Sequence, residues 1–331
     1  MAAMSPASRG GDGPPGSAAP ERAADGSAGR GTRGGTPLLV TGLPRSGTSW
    51  AGKMLAAGGG LVYVNEPLNP QHPPGLSPGV LNAEVSHRFQ YICRDNEAVW
   101  LRAFADTVAL RYRFLAELRR NRSPYDLGRM AKYGTAFTVG RLLGRRALLD
   151  DPFALFSAAW FSERLGCRTV ILVRDPVALV GSWRRLGWRV DPRELLDQPL
   201  LVRDHPAVRR LAEAEPDPVA ATAALWSVAR EVAESLAAAH PGIRLVSYED
   251  LARDPLGGYR DLYAWCGLPW SRRAAERVRR ACTGPASADR PFHRIGLSRT
   301  AFRPMDSAAH LAAARRRLTP EEIARVIELT A

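Results

Sequence analysis

The sequence predicts an α/β protein with three layers, α/β/α, built on a central parallel sheet. Three observations lead there. Short apolar strands alternate with helical stretches along most of the chain. The strand at 169–173 (Thr169-Val170-Ile171-Leu172-Val173) is apolar throughout, as expected of a strand covered on both faces. A Gly-containing turn joins the first strand directly to a helix, a connection typical of such sheets.

The elements follow in order. Residues 1–36 are Gly, Ala, Ser, Pro and Arg with almost no large apolar side chain, so they are expected to form a disordered tail. Residues 37–331 are expected to form a single domain. Its first strand is Leu38-Leu39-Val40, followed by a helix over 48–57 and a second strand over 61–64. The Pro-rich stretch 67–78 reads as loop. Apolar residues at helical spacing (Val99, Ala103, Val108, Leu110, Phe114, Leu118) predict a helix from 97 to 120. A helical insertion is therefore placed at about 67–150. Helices are expected at 153–165 and 176–186, on either side of the apolar strand. The Ala-rich stretch 219–239 is a long helix and 243–247 a buried strand. Helices over 255–266, 271–282 and 320–329 close the chain, the last with Thr319 as N-cap.

Composition excludes several classes. Of the 331 residues, 45% are hydrophobic and 24% charged, which supports a core and excludes global disorder. No apolar run approaches the ~20 residues of a membrane helix. The N-terminus has no apolar stretch of the secretory type, so a cytoplasmic protein is expected. Cys93, Cys167, Cys266 and Cys282 lie far apart with no CxxC pair, which reads as buried thiols. The net charge is +13, yet only two of the 46 basic residues are Lys (Lys53, Lys132). Such a ratio reflects genome bias as much as a partner. The Arg pairs are scattered and no nucleic-acid module is recognisable, so no specific nucleic-acid partner is expected. The oligomeric state stays open.

Between the first strand and helix stands Gly42-Leu43-Pro44-Arg45-Ser46-Gly47-Thr48-Ser49. Backbone N–H groups at such a turn, with the positive end of the helix, make an anion site. The pattern nearly matches the nucleotide loop G-x4-G-K-[ST], but Thr48 replaces the Lys that reaches β- and γ-phosphates. Arg45 supplies a cation instead. No Asp or Glu is placed beside the loop for Mg²⁺. A second cation, Arg174, stands at the carboxyl end of the apolar strand, the edge where such sheets bind ligands. Asp175 caps the next helix, Pro176 suits its first position, and Ser182 follows Arg174 by eight residues. Arg45 and Arg174 thus read as two separate phosphate grips.

Together these segments resemble the sulfotransferases that use 3′-phosphoadenosine 5′-phosphosulfate (PAPS), of bacterial type, with a P-loop-NTPase-like fold. The carriers are Pro44-Arg45-Ser46-Gly47-Thr48-Ser49-Trp50, then Arg174-Asp175-Pro176 with Ser182, then Ser247-Tyr248-Glu249-Asp250-Leu251 with Asp254-Pro255. The resemblance implies that Arg45, Ser46, Gly47, Thr48 and Ser49 grip the 5′-phosphosulfate. It implies that Arg174 and Ser182 hold the 3′-phosphate, that Tyr248 approaches the adenine, and that Trp50 stacks on it. Transfer of the sulfuryl group to a hydroxyl acceptor (a small molecule, a glycan or a tyrosine-like phenol) would then need no metal ion. Arg45 and the loop amides would stabilise the leaving phosphate. Glu66, directly after the second strand, matches the Glu that serves as general base in relatives; His72 and His87 are its rivals.

The chain departs from the family pattern in places. Asp150 stands where many relatives have a Lys near the transferred group, with Arg146 or Lys53 as substitutes. Arg299 and Arg303 are candidate C-terminal phosphate ligands, but Ala312-Ala313-Ala314 stands where a Trp is common. The segment Arg185-Leu186-Gly187-Trp188 resembles one in bacterial relatives and could border an acceptor pocket. Two alternatives remain: a P-loop-type nucleotide kinase or phosphotransferase, and a noncatalytic PAPS-fold binding protein.

Overall fold

In the computed structural model, which describes residues 35–70, 84–120, 123–283, 292–295, 298–302, 306–307 and 317–331, the chain opens on β1 (Leu38–Gly42). Helix α1 (Thr48–Leu55) and β2 (Leu61–Asn65) follow. Three helices come next: α2 (Leu101–Val108), α3 (Phe114–Arg120) and α4 (Pro124–Leu142). Then come β3 (Arg146–Asp150), α5 (Ala158–Leu165), β4 (Arg168–Val173) and α6 (Pro176–Leu186). Two short helices, α7 (Arg193–Leu196) and α8 (Pro199–Asp204), lead to α9 (Pro218–Ala239) and β5 (Ile243–Ser247). Beyond lie α10 (Tyr248–Arg253), α11 (Pro255–Trp265), α12 (Arg272–Cys282), the hairpin β6 (Phe292–Ile295) and β7 (Ser298–Phe302), and α13 (Pro320–Thr330).

Five strands form one parallel sheet in the order β2-β3-β1-β4-β5. Alternate side chains of each strand enter opposite cores, because successive Cβ atoms point to opposite faces. Leu39, Leu149 and Ile171 pack with α2, α5 and α9. Leu38, Val40, Leu148, Val170 and Leu172 pack with α1, α10, α11 and α12 on the other face. The predicted three-layer α/β/α fold is thus the observed one.

Several helix ends follow the sequence signals. Asp175 accepts from Ala178 N at 2.9 Å with Pro176 in the first turn of α6. Thr319 and Glu322 form a reciprocal capping box at α13.

Three predictions differ from the structure. β3 lies inside the stretch read as a helical insertion. The continuous helix expected over 97–120 is broken: a 3-10 turn at Glu97–Val99 precedes α2, and Leu110, in the left-handed region at φ 52°, separates α2 from α3. Cys93 is only half-buried, whereas Cys167, Cys266 and Cys282 are buried free thiols as expected. The expected tail lies outside the described residues up to 34, as does most of the 67–78 loop. No helix among the described residues is long and apolar enough to cross a membrane.

Strand register places the site. Asn65 pairs with Asp150, so Glu66 and Asp151 emerge side by side. Val173 pairs with Ser247, so Arg174 and Tyr248 do the same. Gly42 pairs with Leu172 at φ 144°, and a Cβ there would stand 2.3 Å from Leu172 O and 2.7 Å from Ser46 Oγ. Only glycine allows the loop to leave β1 this close to β4. Gly42→Ala should therefore lower stability by at least ~2 kcal/mol, from backbone strain plus overpacking, as read from urea denaturation midpoints.

Candidate active site

The loop after β1 is tightly wound. Ser46 N donates to Leu43 O at 3.0 Å, and Arg45 adopts a left-handed φ of 76°. Gly47 is the N-cap of α1 at φ 102°, where a Cβ would stand 2.5 Å from the Tyr248 ring. No side chain caps α1, and its first turn holds no acidic residue. The first amides and the positive helix end are therefore available to an anion.

Two donors fasten the loop to the rest of the fold, and a third holds one of them. Arg174 Nη1 donates to Arg45 O and Trp183 Nε1 to Pro44 O, each at 2.8 Å. Trp226 Nε1 in turn donates to Arg174 O at 2.8 Å. Arg174 is only 4% exposed, and its Nε and Nη2, like Ser46 Oγ, are buried without a hydrogen-bond partner. Arg45 Nε donates to Ser182 Oγ at 3.3 Å. Burial, then the charges of Arg174, Arg185 and Arg317, push the Arg45 pKa down to about 10. Neither Arg45 nor Arg174 forms a salt bridge among the described residues. Buried donors without partners are costly, so this cluster is built to receive an anion.

The structure revises the picture of two separate grips. Arg45, Arg174 and Ser182 form one cluster, because the Arg45 side chain turns from the loop toward α6. Nothing in the pattern of residues marks Arg317, which precedes α13, and Arg185 stands out only as part of a pocket segment. Arg303 and the alanines at 312–314 lie outside the described residues, as does the side chain of Arg299.

Tyr248 is 2% exposed and carries the Arg174 guanidinium over its ring, 4.8 Å from the centroid. Trp50 is equally buried and meets Tyr248 and Tyr259 edge-on, each with centroids 5.4 Å apart. Trp50 therefore supports Tyr248 from behind rather than offering an open face. Asp175 N donates to Glu249 Oε1 at 3.1 Å, tying the ends of β4 and β5 together.

The opposite side of the loop is acidic. Glu66 adopts a left-handed φ of 44°, donates its N–H to Asp150 O at 2.7 Å, and accepts from Asn69 Nδ2 at 2.7 Å. Burial raises its pKa to about 7; the Asn69 bond opposes the rise and Asp150 adds to it. Asp151 is buried and accepts from Leu68 N at 2.6 Å and Phe153 N at 3.0 Å. Asp150, also buried, accepts from the Tyr63 hydroxyl and faces the Ser49 and Thr48 hydroxyls. An acid therefore does stand beside the loop, contrary to the sequence reading, because β3 ends next to β1.

Lys53 lies over the Tyr63 ring, 3.4 Å from its centroid. Burial pushes its pKa down to about 8, with Asp150 opposing. Of the two substitutes for the absent Lys, only Lys53 is near: Arg146 starts β3 and donates to Gly267 O and Cys266 O. No cluster of three potential metal ligands occurs among the described residues. His87 Nδ1 lies 2.8 Å from Ser86 Oγ, and His72 lies outside the described residues.

Loop, sheet order and strand end define an α/β protein with buried, unpartnered cationic donors beside the loop after β1. The chain belongs to the sulfotransferase family, whose model matches residues 37–272. Among solved structures it is similar to the sulfotransferase domain from the curacin biosynthetic pathway. That match has 12% identity and a TM-score of 0.45, covering 88% of this chain and 96% of the other. It is also similar to the sulfotransferase STF1 from Mycobacterium tuberculosis H37Rv. There the identity is 17% and the TM-score 0.41, covering 89% of this chain and 76% of the other. No curated protein matches it.

The raised carboxyl pKa has a consequence for stability. Glu66 holds its proton to about pH 7 in the folded chain but loses it near pH 4.5 when unfolded. The folded state then binds more protons between those values, so this group's contribution falls as pH rises from about 4.5 to 7 and levels off above. Denaturation midpoints at pH 5 and pH 8 should differ less in Glu66→Gln than in the parent.

Proposed function

We propose that this protein transfers a sulfuryl group from PAPS to a hydroxyl acceptor, with Glu66 as general base. The observation that carries the reading is Arg174: a buried guanidinium with two unpaired nitrogens, beside Arg45 and Ser182. The donor set fits the 3′-phosphate, which distinguishes PAPS from ATP. Ser46, Gly47, Thr48 and Ser49 offer amides and hydroxyls to the 5′-phosphosulfate. Tyr248, backed by Trp50, borders the adenine side.

Bound PAPS would supply an activated sulfuryl group on a phosphate leaving group. The chain itself positions and neutralises. Charge that develops on the leaving phosphate meets the α1 N-terminus, and Lys53 is the cation nearest Asp150. Glu66 takes the acceptor's hydroxyl proton as the new O–S bond forms and the S–O bond to the phosphate breaks. A base with pKa about 7 is half ionised at neutral pH, which suits that role. Asn69 holds the carboxyl in place.

Asp150 is the feature that favours the rival kinase reading, since it faces the loop hydroxyls. The Tyr63 hydroxyl already donates to one Asp150 oxygen, and Thr48 leaves no Lys for a triphosphate. The reading here requires no metal ion.

Adenosine 3′,5′-bisphosphate should bind far better than adenosine 5′-phosphate in calorimetry. Arg174→Ala should narrow that gap by about 1.5–3 kcal/mol, the scale of a charge-assisted hydrogen bond to a buried group. Equal affinities in the parent protein would remove the 3′-phosphate site.

Glu66→Gln should leave bisphosphate affinity nearly unchanged and lower transfer by ~10²–10⁴. In the parent, the rate should rise as pH passes through about 7, and the variant should lose that limb. Near-normal turnover in the variant would clear Glu66 of the role.

A further inference from the structure

A cavity of about 330 Å³ adjoins the phosphate loop. It reaches the site on two counts. Pro44 in its wall belongs to the loop, and Asn69 in its wall holds the Glu66 carboxyl at 2.7 Å. The volume lies at the lower end of the ~300–1,000 Å³ of pockets that enclose small ligands.

Much of the wall is aromatic: Phe153, Trp183 and Trp188. Trp183 is tied to Pro44 O, and Trp188 N donates to Trp183 O at 3.0 Å. Trp188 stands edge-on to Trp183, centroids 6.2 Å apart, and remains 43% exposed. An aromatic side chain held in place but left uncovered offers its surface to a ring. Among the described lining residues, Asn69 is the one uncharged polar side chain, and its Nδ2 already donates to Glu66. A sugar would bring several hydroxyls against this wall without partners, which is costly. An aromatic ring brings only the hydroxyl that reacts. A phenol ionises near pH ~10, a short step from a base with pKa about 7.

The charged part of the wall is cationic. It holds Arg88 and Arg189, and no acid among the described lining residues. Arg88 is anchored: its N donates to Glu194 Oε2 at 2.9 Å and its Nη1 to Arg189 O at 2.7 Å. Its Nε lies 3.8 Å from the same Glu194 carboxylate, which offsets one of the two charges. The Arg189 guanidinium is exposed and enters no ion pair among the described residues. One positive charge beside the cavity is therefore left over.

We infer that the acceptor is a small phenol bearing an anionic group, such as a carboxylate, away from its hydroxyl. Its ring packs on Trp188 and Phe153, its hydroxyl faces Glu66, and its anion pairs with Arg189. This rests on the transfer reading above.

The test uses the full chain with PAPS and four acceptors: 3-(4-hydroxyphenyl)propanoate, its uncharged amide, the cationic phenol tyramine, and methyl glucoside. Transfer kcat/KM for the acid should exceed that for the amide about tenfold, through KM, as a charge-assisted pair requires. The gap should shrink as salt rises from about 0.05 to about 0.5 M, because the pair is exposed to solvent. Arg189→Gln should bring the acid down to the amide, and Arg189→Glu should make tyramine the better acceptor. Trp188→Ala should lower kcat/KM for every phenol about tenfold, the scale of a lost ring contact. Calorimetry of acid and amide, with adenosine 3′,5′-bisphosphate bound, reads the site without transfer. Equal transfer to acid and amide, or transfer to the glucoside alone, overturns the inference and leaves the transfer reading standing. Faster transfer to an acidic tyrosine pentapeptide than to the free acid overturns the small-molecule acceptor. Binding of the acid over the amide that Arg189→Gln abolishes, without transfer to any acceptor, supports the site and sinks the transfer reading instead.

Discussion

The hydrogen bond from the Arg174 guanidinium to the Arg45 carbonyl governs the rest of the site. It crosses from the end of β4 to a loop residue held in the left-handed region, and it uses only one of the buried nitrogens. Trp183 and Trp226 reinforce it by donating to Pro44 and to Arg174 itself. The loop is thereby held from both β4 and α6, and two buried nitrogens of Arg174 remain without a partner. Burial of Arg45 beside the charges of Arg174, Arg185 and Arg317 makes this loop costly to fold. The two apolar cores flanking the sheet offset that cost.

Parallel strands add a second constraint by bringing every chemical group to one edge. The order of strands then places Lys53 with the acids at the ends of β2 and β3, and Asp175 and Glu249 with Arg174 at the ends of β4 and β5. Glu66, Asp150 and Asp151 follow β2 and β3 on one side of β1, while Arg174 and Tyr248 follow β4 and β5 on the other. The phosphate loop stands between.

Much of this was legible in the sequence because the signals are local. The loop glycines, the strand-end Arg174, Ser182 two turns along α6 and the Asp175–Pro176 cap are all fixed by short-range geometry. β3 escaped notice because Arg146-Ala-Leu-Leu-Asp150 has no β-branched residue and no alternation, and its flanks are charged. The break at Leu110 carries no Gly or Pro to mark it. Long-range pairings escaped for a different reason: Arg45 and Ser182 are 137 positions apart, and nothing in either segment predicts which way the Arg45 side chain turns. The same holds for Asp150, whose place beside the loop follows from a strand the pattern did not reveal.

The left-handed backbone at Glu66 has an evolutionary side. A residue with a Cβ is strained at φ 44°, whereas glycine is at ease there and would keep the N–H bond to Asp150 O. Glu and Gly codons differ by a single base. One mutation thus leads from a strained turn bearing a carboxylate to a relaxed turn bearing none. Selection for stability alone would favour that step, so the carboxylate at this turn is kept at a cost in backbone strain.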